Sequence, residues 1–275
     1  MKIVDTFHHE EITGYKFGYL PIGKPTMLSH IYYVDGLLID TGHSKMRQEI
    51  IATVKDLDVN QIFITHHHED HSGNIAAFKK IFDCKIYASD LCSKIMEQPP
   101  PLSLAQKFLW GNRHAFKGLL PKSHTIETKN YTFEIIPIPG HAGDMVALYE
   151  RNKKWLFSAD LFINHYIGYF VHNEDIALQI SSIKAIQKLD YDTLLCSHNP
   201  QLINGKEALA KKLDFLEEFY KKVSLLYLNG LSKTEIFKKL NLKEYHFMKL
   251  ISGGQLSKMN MINSVIKNVE SNHKI

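Results

Sequence analysis

The sequence is poor in cysteine. Its three cysteines, Cys84, Cys92 and Cys196, form an odd, unclustered set with no CxxC pair, which argues against a disulfide framework and against a thiolate zinc knuckle. All three read as buried structural thiols, with Cys196 a small apolar residue closing a strand rather than a ligand. Long apolar runs are also missing. No stretch approaches the roughly 18–20 apolar residues of a membrane span, and the opening Met1-Lys2-Ile3-Val4-Asp5-Thr6-Phe7 has no signal-peptide core. These absences lead us to expect a cytoplasmic protein with no membrane partner. With 275 residues, 44% of them apolar, the chain can bury a sizeable core, and disorder is excluded as its main state.

Histidine and carboxylate take the place that cysteine leaves. Behind the apolar stretch Gln61-Ile62-Phe63-Ile64 comes Thr65-His66-His67-His68-Glu69-Asp70-His71-Ser72-Gly73, an HxHxDH pattern. Imidazole and carboxylate are donors that zinc and its first-row neighbours favour. A buried strand ending at Thr65 would bring His66 and His68 to one side as the chain begins to turn. Asp70 and His71 would then be free for a second metal.

In a chain with 16 histidines such a cluster could be accidental, but the downstream pattern argues otherwise. A β-rich run stops at Pro139-Gly140 and hands over His141, Trp155-Leu156-Phe157-Ser158-Ala159 ends in Asp160, and Thr193-Leu194-Leu195-Cys196-Ser197 ends in His198. Each places a metal-ligating side chain at a strand end.

This ordered set resembles the metallo-β-lactamase superfamily: an early Asp in Leu37-Leu38-Ile39-Asp40-Thr41-Gly42, then HxHxDH, a lone His, a lone Asp and a final His. The resemblance covers roughly residues 15 to 205. It implies an αββα sandwich with metals at one edge, a refinement of the mixed α/β alternation of apolar runs and helix-like stretches. It also implies one metal held by His66, His68 and His141, a second by Asp70, His71 and His198, and Asp160 bridging the two. Asp40 would orient a ligating imidazole by accepting its other N–H. His67 and Glu69 alternate with these ligands and read as outward-facing, and His43, His114, His165 and His172 are not counted as ligands.

Residues 97 to 123 begin with Glu97-Gln98-Pro99-Pro100-Pro101 and continue with Phe108, Leu109, Trp110 and Phe116. They interrupt the pattern and read either as a lid over the metal edge or as a short helical pair packed on the core. Residues 1 to 205 are expected to form the catalytic domain and 206 to 275 a helical C-terminal cap or appendage. In this tail Leu209, Leu213, Leu216, Tyr220, Val223 and Tyr227 repeat at helical spacing, Gly230 can end that helix, and Ser232 with Glu235 forms a capping box for the next. The tail carries thirteen lysines against seven acidic residues in a chain of net charge +4. Without Arg or interleaved aromatics, it reads as the solvated face of a packing or homodimerising element more than as a nucleic-acid footprint.

The expected activity is dinuclear metal-dependent hydrolysis, in which a metal-bridging hydroxide attacks a carboxylic ester, thioester or lactone-like small substrate. Two divalent ions are expected, zinc first, with iron and manganese compatible. Asp70, Asp160 and Tyr166 are the catalytic candidates: Asp70 orients the attacking water or shuttles its proton, and Tyr166 acts as an oxyanion or leaving-group donor. Asp160 stands where antibiotic-hydrolysing relatives use Cys, which argues against that activity. The glutathione-binding Arg and Lys pattern of glyoxalase II is not found. Two alternatives remain: a phosphodiesterase or nuclease that contacts nucleic acid through the basic tail, and a mononuclear iron dioxygenase.

Overall fold

A computed structural model describes residues 1–20 and 28–272. Strands β1 (Lys2–His9), β2 (Ile12–Tyr19), β3 (Leu28–Val34), β4 (Leu37–Ile39), β5 (Gln61–Ile64), β6 (Lys85–Ala88) and β7 (Leu120–Pro121) form one sheet in that order. Pairing is antiparallel from β1 to β4 and parallel from β4 to β7. The second sheet holds β8 (Thr125–Glu127), β9 (Thr132–Pro137), β10 (Val146–Glu150) and β11 (Trp155–Ala159) antiparallel, while β12 (Phe170–Val171) lies outside it and β13 (Thr193–Cys196) joins β11 in parallel. A separate ribbon pairs β12 with β14 (Leu256–Ser257).

The layering follows from the two-residue period of a strand. Leu37 and Ile39 of β4 and Phe63 of β5 face the second sheet, where they meet Val146, Leu148, Trp155, Phe157 and Leu195. The alternate residues Leu38, Ile62 and Ile64 face outward, against α1 (Arg47–Val54), α3 (Ile75–Phe82) and α4 (Asp90–Glu97), and the single turn α2 (Glu69–Ser72) lies between β5 and α3 in the chain. Likewise Ala147, Tyr149, Leu156 and Leu194 turn to the far side of the second sheet. Strands covered on both faces read as unbroken apolar runs, which is why they are conspicuous in the sequence. Between the sheets, Phe157 meets Tyr32 and Phe133 edge-on, with ring centroids 5.4 and 5.8 Å apart.

Beyond α5 (Leu104–Leu109) and α6 (Ile176–Ile186), the C-terminal helices are α7 (Gly205–Leu228), α8 (Lys233–Lys239), α9 (His246–Ile251) and α10 (Lys258–Asn272). They lie outside the sandwich but share its core: Leu209, Leu216, Val223, Ile236, Met261 and Val265 join one cluster with Leu156, Ile183 and Leu194. Gly230, at φ 85°, follows α7, and Ser232 with Glu235 closes a reciprocal capping box on α8.

Two expectations need correction. Residues 97 to 123 do not wholly interrupt the sandwich, because Leu120 and Pro121 pair with β6 as the seventh strand of the first sheet. Nor are the tail's lysines all on solvated faces. Lys212 and Lys258 are fully buried, and their ammonium groups donate to the carbonyls of Leu161 (2.6 Å) and Ile167 (2.7 Å).

Candidate metal centre

The strand ends deliver the candidate ligands to one edge of the sandwich. β5 stops at Ile64, and the chain continues through His66 and His68 into the α2 turn, which carries Asp70 and His71. Past β9, Gly140 at φ 138° lets the backbone approach so closely that a Cβ would lie 2.5 Å from the Gln179 nitrogen, and His141 follows it. At the end of β11 the register shifts between Phe157 and Ala159, and Ala159 adopts a left-handed φ of 45°. Such a bulge re-aims the next side chain, here Asp160. His198 follows β13.

Two groups of potential ligand atoms result, each within 4.8 Å: His66, His68, His141 and Asp160, and Asp70, His71, Asp160 and His198. Asp160 belongs to both. Its Oδ1 lies 3.3 Å from His71 Nε2, and its Oδ2 lies 3.3 Å from His141 Nε2 and 3.2 Å from His198 Nε2. Asp70 Oδ2 stands 3.6 Å from the Nε2 atoms of both His71 and His198.

The outer ring nitrogens of four of these histidines face acceptors. His71 Nδ1 is 2.8 Å from Asp40 Oδ2, His198 Nδ1 is 2.6 Å from the Leu28 carbonyl and His141 Nδ1 is 3.3 Å from Glu174 Oε2. The Thr65 hydroxyl donates to the Asp40 carboxylate at 2.9 Å, so its oxygen can accept from His66 Nδ1 at 3.2 Å. Each outer nitrogen thus faces an acceptor that can hold its proton, which would leave Nε2 as an inward lone pair once a cation takes the place of the Nε2 proton. His68 is the exception, presenting Nδ1, 3.0 Å from His141 Nε2. His66 Nε2, His71 Nε2 and Asp160 Oδ1 are buried without hydrogen-bond partners, a costly arrangement for a protein alone and one that a cation satisfies.

The electrostatics agree. Burial alone would push the His71 imidazole down, yet Asp160, Asp70 and Asp40 together hold it well above its ordinary range. His141 is likewise carried up against burial, to about 10, chiefly by Glu174 and Asp160. Burial and the neighbouring imidazoles keep His66 and His68 well below the ordinary range, and so neutral. His198 and His71 hold the Asp160 carboxyl low despite its burial. The carboxylates create a demand for positive charge that divalent cations would meet with the imidazoles left neutral.

Asp40 sits where its left-handed φ of 65° turns its carboxylate onto both Thr65 and His71. His67 points away and pairs with Asp144 through its ring and its backbone N–H, both at 2.8 Å. Glu69 is buried, 4.0 Å from the Arg113 guanidinium. His114, His165 and His172 are exposed, whereas His43 is fully buried. Tyr166 is not brought to the site. It is half exposed, its hydroxyl lies 3.1 Å from Lys258 Nζ and its ring rests on Phe215. Tyr169, three residues on, lines the cavity instead.

That cavity, of about 340 Å³, opens over the ligand groups and is walled in part by Gln106, Leu109 and Trp110 of the 97–123 segment and by Ser252, Gln255 and Leu256 of the C-terminal region. Glu174, Tyr169 and these C-terminal wall residues carry no motif in the sequence. Only the apolar character of Leu109 and Trp110 marked the first wall.

Fold and ligand cluster together support a metal-dependent hydrolase. The chain belongs to the metallo-beta-lactamase superfamily, whose family model matches residues 27–198. Several of the curated proteins it resembles are hydroxyacylglutathione hydrolases. A hydroxyacylglutathione hydrolase of Buchnera aphidicola is 28% identical over 207 residues, 73% of this chain and 70% of the relative. One of Bdellovibrio bacteriovorus is 29% identical over 143 residues, 52% of this chain, and the match spans only 50% of that relative's length. Among solved structures, a metallo-beta-lactamase family protein of Thermus thermophilus superposes with a TM-score of 0.69 at 16% identity, covering 92% of each chain.

Proposed function

We propose that the protein is a dinuclear metal-dependent hydrolase of a carboxylic ester, thioester or lactone-like small molecule. In this reading His66, His68 and His141 hold one ion, Asp70, His71 and His198 the other, and Asp160 both. The observation that carries it is that unpartnered buried donor atoms, His66 Nε2, His71 Nε2 and Asp160 Oδ1, lie in two ligand groups that share Asp160. Divalent ions held by these residues would supply Lewis acidity, lowering the pKa of a bound water and polarising the carbonyl of the substrate. His and Asp donors suit zinc first.

The chain's own residues supply orientation and proton handling. Asp40 and Glu174 fix the ring planes of His71 and His141 by accepting from Nδ1. Asp70 lies at the cavity wall with its carboxylate towards the ligand groups, where it can accept a proton from the attacking water. No Ser or Cys nucleophile is required, and Cys196 is buried with burial pushing its thiol up to about 12, a poor nucleophile.

The nuclease alternative has less to draw on, because two of the tail's lysines are spent on backbone carbonyls. A mononuclear iron site would use one ligand group and leave the other idle. Elemental analysis with a panel of ester, thioester, lactone and phosphodiester substrates tests the proposal. Two ions per chain with carbonyl-substrate turnover are expected, and Asp160→Ala should lose both. One iron per chain without hydrolysis would overturn it.

A further inference from the structure

One side of α7 is a stripe of buried residues at helical spacing, with Leu209, Lys212, Leu216, Phe219 and Val223 in line. A lysine in such a stripe is costly unless its ammonium is hydrogen-bonded. The Lys212 side chain is buried, and its Nζ donates to the Leu161 carbonyl at 2.6 Å. Burial disfavours the charged ammonium there, and the nearby Glu174 and Asp160 carboxylates favour it. Leu161 directly follows Asp160, the residue that belongs to both ligand groups.

The turn that Lys212 holds is a strained one. Ala159 takes a left-handed φ of 45°, a conformation that disfavours a residue with a Cβ and persists only where its surroundings over-determine it. Two constraints come from the backbone: the Leu161 N–H donates to the Ser158 carbonyl and the Ser197 N–H to the Ala159 carbonyl, both at 2.9 Å. Lys212 adds a third, on the far side of Asp160. We propose that Lys212 is a positioning residue of the metal centre: through the Leu161 carbonyl it holds the turn of residues 159–161 so that Asp160 reaches both ligand groups. This rests on the metal-site part of the hydrolase reading. It gives the C-terminal helices a share in ion binding, although the candidate ligands all lie at or before His198.

The test is a calorimetric zinc titration of the metal-free protein, carried out on the wild type, Lys212→Met and Lys258→Met. Methionine keeps much of the apolar stem and removes the ammonium. Lys258 is the reference, because its Nζ donates to the Ile167 carbonyl at 2.7 Å, in the same loop but at a residue that adjoins no candidate ligand in the chain. Lys212→Met should weaken zinc binding at both sites by at least about tenfold, the scale for a ligand that has lost its support. Lys258→Met should leave both sites unchanged. Unaltered zinc affinity in Lys212→Met would overturn the proposal. So would tighter binding, the result for an ammonium that only repels the ions, and so would an equal loss in Lys258→Met, which would mark a general loosening of the fold.

If Lys212→Met does not fold, Lys212→Gln, whose neutral amide reaches less far, takes its place in the same titration with the same expected loss. The hydrolase reading fails by a different result. A wild type that binds two zinc ions, loses them with Lys212→Met and hydrolyses no ester, thioester or lactone ends that reading and leaves the role of Lys212 standing. A wild type that binds no zinc overturns both.

Discussion

Glu174 Oε2 stands 3.3 Å from Nδ1 of His141, the position Asp40 occupies towards His71 at 2.8 Å. Glu174 is itself held by the C-terminal segment, since the Ser264 hydroxyl donates to its carbonyl at 2.9 Å. Glu174→Gln should weaken binding of one metal by about 10–100-fold with little change in thermal midpoint. A zinc titration by calorimetry checks this, and two unaltered sites would remove Glu174 from the support of His141.

Tyr166→Phe should leave metal content unchanged and kcat within about twofold, because the hydroxyl points to Lys258 and not into the cavity. A drop in kcat of about 100-fold, the range for a lost oxyanion donor, would restore the catalytic role expected from the sequence.

His43 gives a pH dependence. It is fully buried against Trp110, ring centroids 5.0 Å apart, with neither ring nitrogen partnered, and burial lowers its pKa to about 4. Between the ordinary 6.5 and about 4 the unfolded chain binds a proton there that the folded chain does not, so stability is lost as pH falls through that window. His43→Phe keeps the edge-on ring contact and removes the titration. Its stability relative to wild type should rise on acidification from pH 6.5 towards 4, by on the order of 3 kcal/mol, read by urea melts at several pH values. A constant difference would show that His43 does not titrate in this way.

Ending the chain at residue 205 strips Leu209, Leu216, Val223, Ile236, Met261 and Val265 from a core they share with Leu156, Ile183 and Leu194. Each buried aliphatic side chain contributes about 1.5–3 kcal/mol, and a fold stable by about 5–15 kcal/mol cannot lose six of them. The truncated protein should be insoluble or unfolded by circular dichroism. A folded, monomeric product that had lost only salt-dependent polynucleotide binding would favour the nucleic-acid role instead.

Much of the site was legible because the candidate ligands follow strands, several of them apolar runs buried on both faces, as with Trp155 to Ala159 before Asp160 and Thr193 to Cys196 before His198. What escaped has physical causes. Glu174 lies between β12 and α6 in a segment without periodicity, so nothing in its neighbours marks it. Lys212 and Lys258 looked like ordinary members of a basic tail, because lysine identity alone does not reveal that an ammonium group has found a carbonyl. Tyr166 and Tyr169 share one loop, and the order of residues does not say which ring turns inward.

The division of labour along the chain also has a temporal side. All candidate metal ligands lie at or before His198, whereas Lys212, Ser252, Gln255 and Leu256 of the cavity lining come later. Synthesis proceeds from the N-terminus, so on the ribosome the ion-binding edge is made before the surface that will shelter it. Because the core beneath that edge is completed only by Leu209, Leu216, Val223, Ile236, Met261 and Val265, the ion-binding edge and its shelter set together, once the tail has left the ribosome.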